Sequence, residues 1–238
     1  AVIGGGRWAR VLIEVLCGVV PQSVKITVHS LRNSKSMLAW ALAHGLDDRI
    51  QVFSTYPDVI SEKSSVVIIV NAARDHEKAI EWALSQCVPV LVEKPVTLSF
   101  AATQRLTDLA IKQKTYLAAA HVFLFARYVW AFSKLVNEAV GIQGISVRWM
   151  DPVAETRYGE AKTYDPGLTI YADLLPHILS ILTALSTKSF QLGREFELLR
   201  GGACLKINIK IGDIPCEIEM VRNGDSRQRL IEVDTREG

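Results

Sequence analysis

Over the first 120 residues, short continuous apolar runs alternate with stretches whose apolar residues recur at helical spacing. The runs fall at residues 26–30, 66–70, 88–92 and 116–120, with a shorter one at 50–53. Their length and β-branched content predict strands buried on both faces. Between them, residues 8–20, 34–44, 77–87 and 101–112 carry helical patterns, the second followed by Gly45, a suitable C-cap. Strands alternating with helices predict a parallel sheet covered on both faces, because each right-handed crossover lays its helix on the sheet.

Near residue 120 the pattern changes. Residues 126–140 form one amphipathic stretch closed by Gly141, and strands then dominate. The clearest signal is a hairpin about Gly212-Asp213. Setting Ile211 opposite Ile214 puts Ile209 opposite Cys216, Ile207 opposite Ile218 and Leu205 opposite Met220 on one apolar face. Lys206 then faces Glu219 and Asn208 faces Glu217 on a polar one. Matched alternation in a single register predicts an antiparallel sheet with one buried face. The expected fold is α/β: a doubly wound parallel sheet over residues 1–120, then an α+β domain with a largely antiparallel open sheet over 121–238. Residues 1–3 are short for a central strand of ~5 residues, and residues 230–233 read as a strand needing a neighbour, so the chain is expected to be a piece of a longer protein.

Composition narrows the function classes. With 49% hydrophobic and 22% charged residues, the chain has the profile of a compact folded protein. A net charge of +2 with no basic run argues against nucleic acid as a partner. No apolar stretch approaches the ~18 residues of a membrane span, and no signal peptide is recognisable. Cys17, Cys87, Cys204 and Cys216 are scattered without metal-ligand or redox spacing. They are expected to be small buried hydrophobes in a reducing cytoplasm, with Cys204 and Cys216 out of register for a disulfide.

The first candidate chemistry is Gly4-Gly5-Gly6-Arg7-Trp8-Ala9, a G-x-G-x-x-A turn between the first strand and the first helix. Gly4 would permit the tight turn, Gly6 would let a diphosphate approach the backbone, and Ala9 would allow close helix–strand packing. The diphosphate would rest on the free N–H groups and positive dipole end of the helix. The end of the second strand, His29-Ser30-Leu31-Arg32-Asn33-Ser34, offers no acid for a ribose 2′-hydroxyl. Ser30 and Arg32 instead suit a 2′-phosphate, which favours NADP, with NAD the alternative.

Val92-Glu93-Lys94-Pro95 then completes a recognisable series. It follows the glycine turn and Asn71-Ala72-Ala73-Arg74-Asp75-His76, and Asp173-x-x-x-His177 lies downstream. In this order the motifs resemble the Gfo/Idh/MocA family, the group of glucose–fructose oxidoreductase and inositol dehydrogenase. The resemblance implies an NAD(P)-dependent oxidoreductase with a Rossmann domain, acting on a polyol, sugar derivative or cyclitol. It implies a dinucleotide lying against Gly4, Gly6, Arg7 and Trp8, against Ser30 and Arg32, and against Asn71, His76, Glu93 and Lys94. Lys94 takes the place beside the nicotinamide and the reacting carbon, and Asp173 and His177 take the places at the substrate hydroxyl. An imidazole that titrates near neutrality suits proton transfer to oxygen, and a lysine suits developing alkoxide charge. The resemblance also implies pairing of copies, as a homodimer or homotetramer, through the open sheet face that carries Lys206 and Glu219.

Two departures stand out. Leu174-Leu175-Pro176 replaces residues that are often glycine in relatives, and Ser180 stands where many have a second Asp. Pro176 is expected only in a first helical turn and biases Leu175 away from helix, which leaves open whether Asp173 and His177 share a face. The segment 149–165, with Trp149, Arg157, Tyr158 and Lys162, is expected to be a polar loop lining the substrate cleft. Its Tyr158-x-x-x-Lys162 also matches a short-chain dehydrogenase motif. Gly159, Pro152 and Pro166 argue against the helix that motif needs. A dinucleotide-bound sensor without turnover is the alternative from another class.

Overall fold

The computed structural model describes residues 1–57, 66–157, 159–161, 164–165, 167–186 and 188–236. The chain forms two compact units, Ala1–Ala120 and His121–Gly238.

In the first unit, β1 (Val2–Ile3), β2 (Ile26–His29), β3 (Ile50–Phe53), β4 (Val67–Ile69), β5 (Val90–Val92) and β6 (Leu117–Ala119) form one sheet in the order β3-β2-β1-β4-β5-β6. Every pairing in it is parallel. The connecting helices are α1 (Arg7–Val19), α2 (Ser34–Ala43), α3 (His76–Ser85) and α4 (Phe100–Lys112). Neighbouring residues on β1 feed different cores. Val2 packs with Ile13, Val28 and Met37, and Ile3 with Ile80, Leu84 and Leu106, so both sheet faces are covered. Strand order reverses between β1 and β4, which opens a crevice at the carboxyl ends of those strands. Several strands are shorter than their apolar runs. Residues 88–89 precede β5 rather than join it, because Val88 N–H donates to Ala83 O and Pro89 has no N–H for a ladder.

In the second unit, α5 (Arg127–Glu138) precedes β7 (Gly144–Pro152), β8 (Thr156–Arg157), β9 (Glu160–Ala161) and α6 (Ile170–Leu185). Then follow β10 (Phe190–Leu199), β11 (Cys204–Ile211), β12 (Ile214–Gly224) and β13 (Gln228–Asp234). The five-stranded sheet has the order β10-β11-β12-β7-β13 and is antiparallel except between β12 and β7. The β11–β12 hairpin has the register read from its alternation, from Ile211 opposite Ile214 to Leu205 opposite Met220. Its apolar face packs beneath α5 and α6, with Ile178, Leu182 and Leu185 fully buried there. The strand at 230–233 does have a neighbour, β7.

Three expectations need correction. Helix α6 runs through Pro176 near its middle, not in its first turn. The missing N–H costs one bond, about 3 kcal/mol, yet Leu174, Ile178, Ile181, Leu182 and Leu185 are all buried along the same helix and outweigh it. Residues 149–152 belong to β7, whose inward positions Ile145, Val147, Trp149 and Asp151 are all buried, so the loop begins only after Pro152. Cys87 is exposed with φ 55°, whereas Cys204 and Cys216 are buried. Burial pushes the Cys216 thiol up to about 12, which keeps it protonated. All four cysteines are free.

Candidate functional site

The glycine turn uses each glycine differently. Gly4 has φ +137°, and a Cβ there would lie 2.8 Å from the Val70 carbonyl and 2.9 Å from Asn71 N. A Cβ on Gly5 would lie 2.4 Å from Ser30 Oγ. Gly6 is exposed, and a Cβ there would meet nothing within 4 Å. The first two glycines therefore let backbone and neighbouring strands close up, while Gly6 opens onto free space. The motif assigns no role to Gly5, and its close approach to Ser30 comes from the structure alone. Gly6 is also the N-cap of α1, which has no side-chain cap and no acid in its first turn. Its leading N–H groups and dipole thus face that space, a suitable seat for an anion. Ala9 is fully buried beneath the turn.

Two loops border the turn. Ser30 is buried, its Oγ accepting from Asn33 N–H at 3.1 Å, while Arg32 is exposed. His29 stacks on Phe53 with ring centroids 5.0 Å apart, and its Nδ1 lies 2.8 Å from Thr55 O. Burial holds its pKa below the ordinary value, so it brings no cation to this edge at neutral pH. At the carboxyl end of β4, Asn71 Oδ1 is buried and has no hydrogen-bond donor among the described residues. Such an acceptor calls for a partner, and a ribose hydroxyl would supply one.

Glu93-Lys94-Pro95 leaves β5 beside that crevice. Trp8 Nε1 donates to Glu93 Oε2 at 2.8 Å. Hydrogen bonds to a charged acceptor contribute roughly 1.5–3 kcal/mol. His76, the first residue of α3, is buried, with Nδ1 2.8 Å from Pro95 O and Nε2 3.2 Å from Asn71 O. Burial pushes its pKa down, partly offset by those carbonyls. A neutral ring has one N–H, and we assign it to the shorter contact, the one with Pro95. Lys94 is partly buried between these two contacts, and the Lys94–Pro95 bond is cis.

The second unit arranges an aromatic setting for His177. The imidazole stacks on Trp149 with centroids 5.9 Å apart at 15°, and Phe123 meets it edge-on at 5.1 Å. The Arg229 guanidinium lies 4.2 Å from the Trp149 ring centroid and pairs with buried Asp151. Asp173 Oδ2 pairs with Arg222 Nη2 at 3.1 Å, both side chains being largely buried. Arg222 also donates to Leu168 O at 2.7 Å and Thr169 O at 3.3 Å, which ties β12 to the start of α6. Ser180 Oγ donates to His177 O at 2.7 Å. Trp149 is thus a core residue under His177 and not part of a polar loop. Arg222 and Arg229 were missed by sequence reasoning. Arg229 sits directly opposite Trp149 across β13 and β7, a register that no hairpin turn announces. Tyr158 and Lys162 and the Arg157 side chain lie outside the described residues. Among the described residues, Thr156–Arg157 and Glu160–Ala161 pair as a short antiparallel ladder.

Comparison with known proteins places this geometry. Residues 1–121 match the model of the Gfo/Idh/MocA family, described as an oxidoreductase family with an NAD-binding Rossmann fold. Human biliverdin reductase A is 29% identical over 161 residues, 66% of this chain and 51% of that protein, so the chain spans about half the length of this curated relative. Among solved structures, myo-inositol 2-dehydrogenase from Lactobacillus plantarum superposes with a TM-score of 0.77 at 16% identity, over 100% of this chain and 74% of that one. GenD2 from gentamicin A biosynthesis, in complex with NAD, gives 0.79 at 19% identity, over 100% and 69%. An NAD-binding protein from Listeria innocua gives 0.79 at 15% identity, over 98% and 69%. At these identities the superpositions show the fold, and the match over residues 1–121 shows the lineage: the chain belongs to the Gfo/Idh/MocA oxidoreductase family.

Proposed function

We propose that the chain carries the working parts of an NAD(P)-dependent oxidoreductase acting on a small polyhydroxylated substrate, and that NADPH binds more tightly than NADH. The observation that carries this reading is the open space at Gly6 in front of the uncapped start of α1. The residues present fit a dinucleotide. The N–H groups of Gly6, Arg7 and Trp8 would hold its diphosphate, with Gly4 shaping the turn, and Asn71 Oδ1 would accept from a ribose hydroxyl. Arg32 would meet a 2′-phosphate, with Ser30 beneath it, because residues 29–36 contain no carboxylate to repel one. When bound, the nicotinamide supplies or takes the hydride.

The chain's own residues supply the rest. The Lys94 ammonium stabilises negative charge on the substrate oxygen. The His177 imidazole gives or takes a proton at substrate oxygen, its plane set by Trp149 and Phe123. Asp173, held by Arg222, fixes the opening turn of α6 and contributes negative charge one turn before His177. Arg157 and Tyr158 are the substrate contacts. We further propose a homodimer or homotetramer formed through the polar sheet face, where Glu219 pairs with Arg148 at 2.7 Å and Lys206 at 3.9 Å. A concentration-independent monomer by ultracentrifugation would remove that assembly. Free cysteines suit a reducing cytoplasm.

The test is a screen of sugars, cyclitols and imines with NADPH and NADH, followed by two variants on any substrate found. Lys94→Ala should lower turnover ~10²–10³-fold and His177→Ala ~10²–10⁴-fold. Turnover within tenfold of the parent in both variants would displace the site. Dinucleotide binding with no turnover on any substrate would favour the sensor instead.

A further inference from the structure

We propose that the side chains of Trp8 and His76 are positioning residues for Lys94, two braces that fix the Glu93-Lys94-Pro95 segment from either end. The inference rests on the reading of Lys94 above and deepens it. The β5 ladder ends at this segment, where Glu93 N–H donates to Ile69 O at 2.8 Å and Ala120 N–H to Val92 O at 2.7 Å. Beyond Glu93 the strand no longer dictates where Lys94 stands. The Glu93 carboxylate is held by the Trp8 indole at 2.8 Å, and the Pro95 carbonyl by His76 at 2.8 Å. The two braces come from helix starts: Trp8 is the second residue of α1 and His76 the first of α3.

The placement of Trp8 gives the first brace a further consequence. Its backbone belongs to the turn that follows Gly6, and its side chain reaches across β4 to the end of β5. An anion seated on the α1 N-terminus and the Lys94 ammonium are therefore linked by one short chain of groups: turn, indole, carboxylate, lysine. Seating of the dinucleotide sets Lys94 through Trp8 and Glu93. A bond that only stabilised the fold would not transmit this.

The experiment reads Lys94 directly, by NMR of the full chain with 13C-dimethylated lysines, Lys94→Arg identifying the resonance, with and without NADPH or NADH. In the parent, the Lys94 resonance should stand apart from the exposed lysines and shift when dinucleotide is added. Trp8→Phe and Glu93→Leu should both move it to the exposed-lysine position and abolish its response. Glu93→Gln, whose amide oxygen still accepts from the indole, should retain both. The double variant should be no worse than either single one, as expected of partners in one bond. His76→Leu should move the resonance in the same way, and His76→Gln, which keeps a donor, should retain it even if the leucine variant does not fold. On a substrate found by the screen, Trp8→Phe should lower kcat about tenfold or more while changing the dinucleotide KM less. An unmoved and still responsive Lys94 resonance in Trp8→Phe, or single-variant effects that multiply, would overturn the brace. If Lys94→Ala turns over like the parent, the catalytic reading of Lys94 fails, and the resonance still judges the brace independently.

Discussion

The glycine turn of the first unit and helix α6 of the second both carry candidate chemistry, yet they are built on different physical grounds. At the turn, local residue choice dictates the backbone. Gly4 occupies φ +137° against the Val70 carbonyl, Gly5 closes on Ser30, and Gly6 faces open space. At Gly4 the atoms in the way are backbone, and at Gly5 they belong to the Ser30 and Asn33 side chains. In α6 the local signal points the wrong way. Leu175-Pro176 reads as a helix boundary, and the helix nevertheless continues to Leu185 because its apolar face lies in the core of the second unit. At Gly4 a Cβ would meet backbone atoms that no side-chain repacking can move aside, whereas the penalty for the proline is offset by burial along the rest of the helix.

Variants at the two places should separate these grounds. The largest effect is expected for Gly4→Ala, whose Cβ would meet backbone atoms at 2.8 Å at a φ few side chains adopt. It should destabilise the first unit by about 3 kcal/mol or more. Gly6→Ala, with nothing within 4 Å, should cost under about 0.5 kcal/mol. Equal losses in denaturant unfolding would contradict the division of labour within the turn. Pro176→Ala comes next and should have the opposite sign. Restoring an N–H for Ala172 O should stabilise by about 1–2 kcal/mol, the gain moderated by the freer unfolded chain. A destabilised Pro176→Ala protein would mean that the proline is needed in α6. The smallest effect concerns cofactor choice. Arg32→Asp should reverse the preference for NADPH by charge repulsion, a change of about tenfold in relative affinity, or 1.4 kcal/mol. Equal affinities of NADPH and NADH in the parent would leave nothing to reverse.

What could be read from the sequence follows the same division. The β11–β12 register was legible because a two-residue turn and strict alternation leave one solution. The six-stranded parallel sheet was legible from its repeated strand–helix pattern, although strand ends such as Val88-Pro89 were not, since they depend on which N–H groups find partners. The candidate site could be proposed from sequence where its groups are near one another, as at residues 4–9 and 93–95. The partners of those groups were not. Arg222 on Asp173, Arg229 on Trp149 and the indole of Trp8 on Glu93 join residues 49, 80 and 85 positions apart. Such pairings follow from topology and register. Trp149 was misplaced for a related reason: aromatic and charged neighbours suggested a loop, while the alternation Ile145, Val147, Trp149, Asp151 marks an inward strand face.

The central claim is that the space at Gly6 is the seat of a dinucleotide diphosphate. Gly6→Val tests it cleanly, because the new side chain would enter open space and touch no protein atom near its Cβ. Calorimetric titration of NADPH and NADH into the parent and into folded Gly6→Val should show binding in the parent and its loss, by ~100-fold or more, in the variant. Unchanged dinucleotide affinity in a folded Gly6→Val protein would contradict the account.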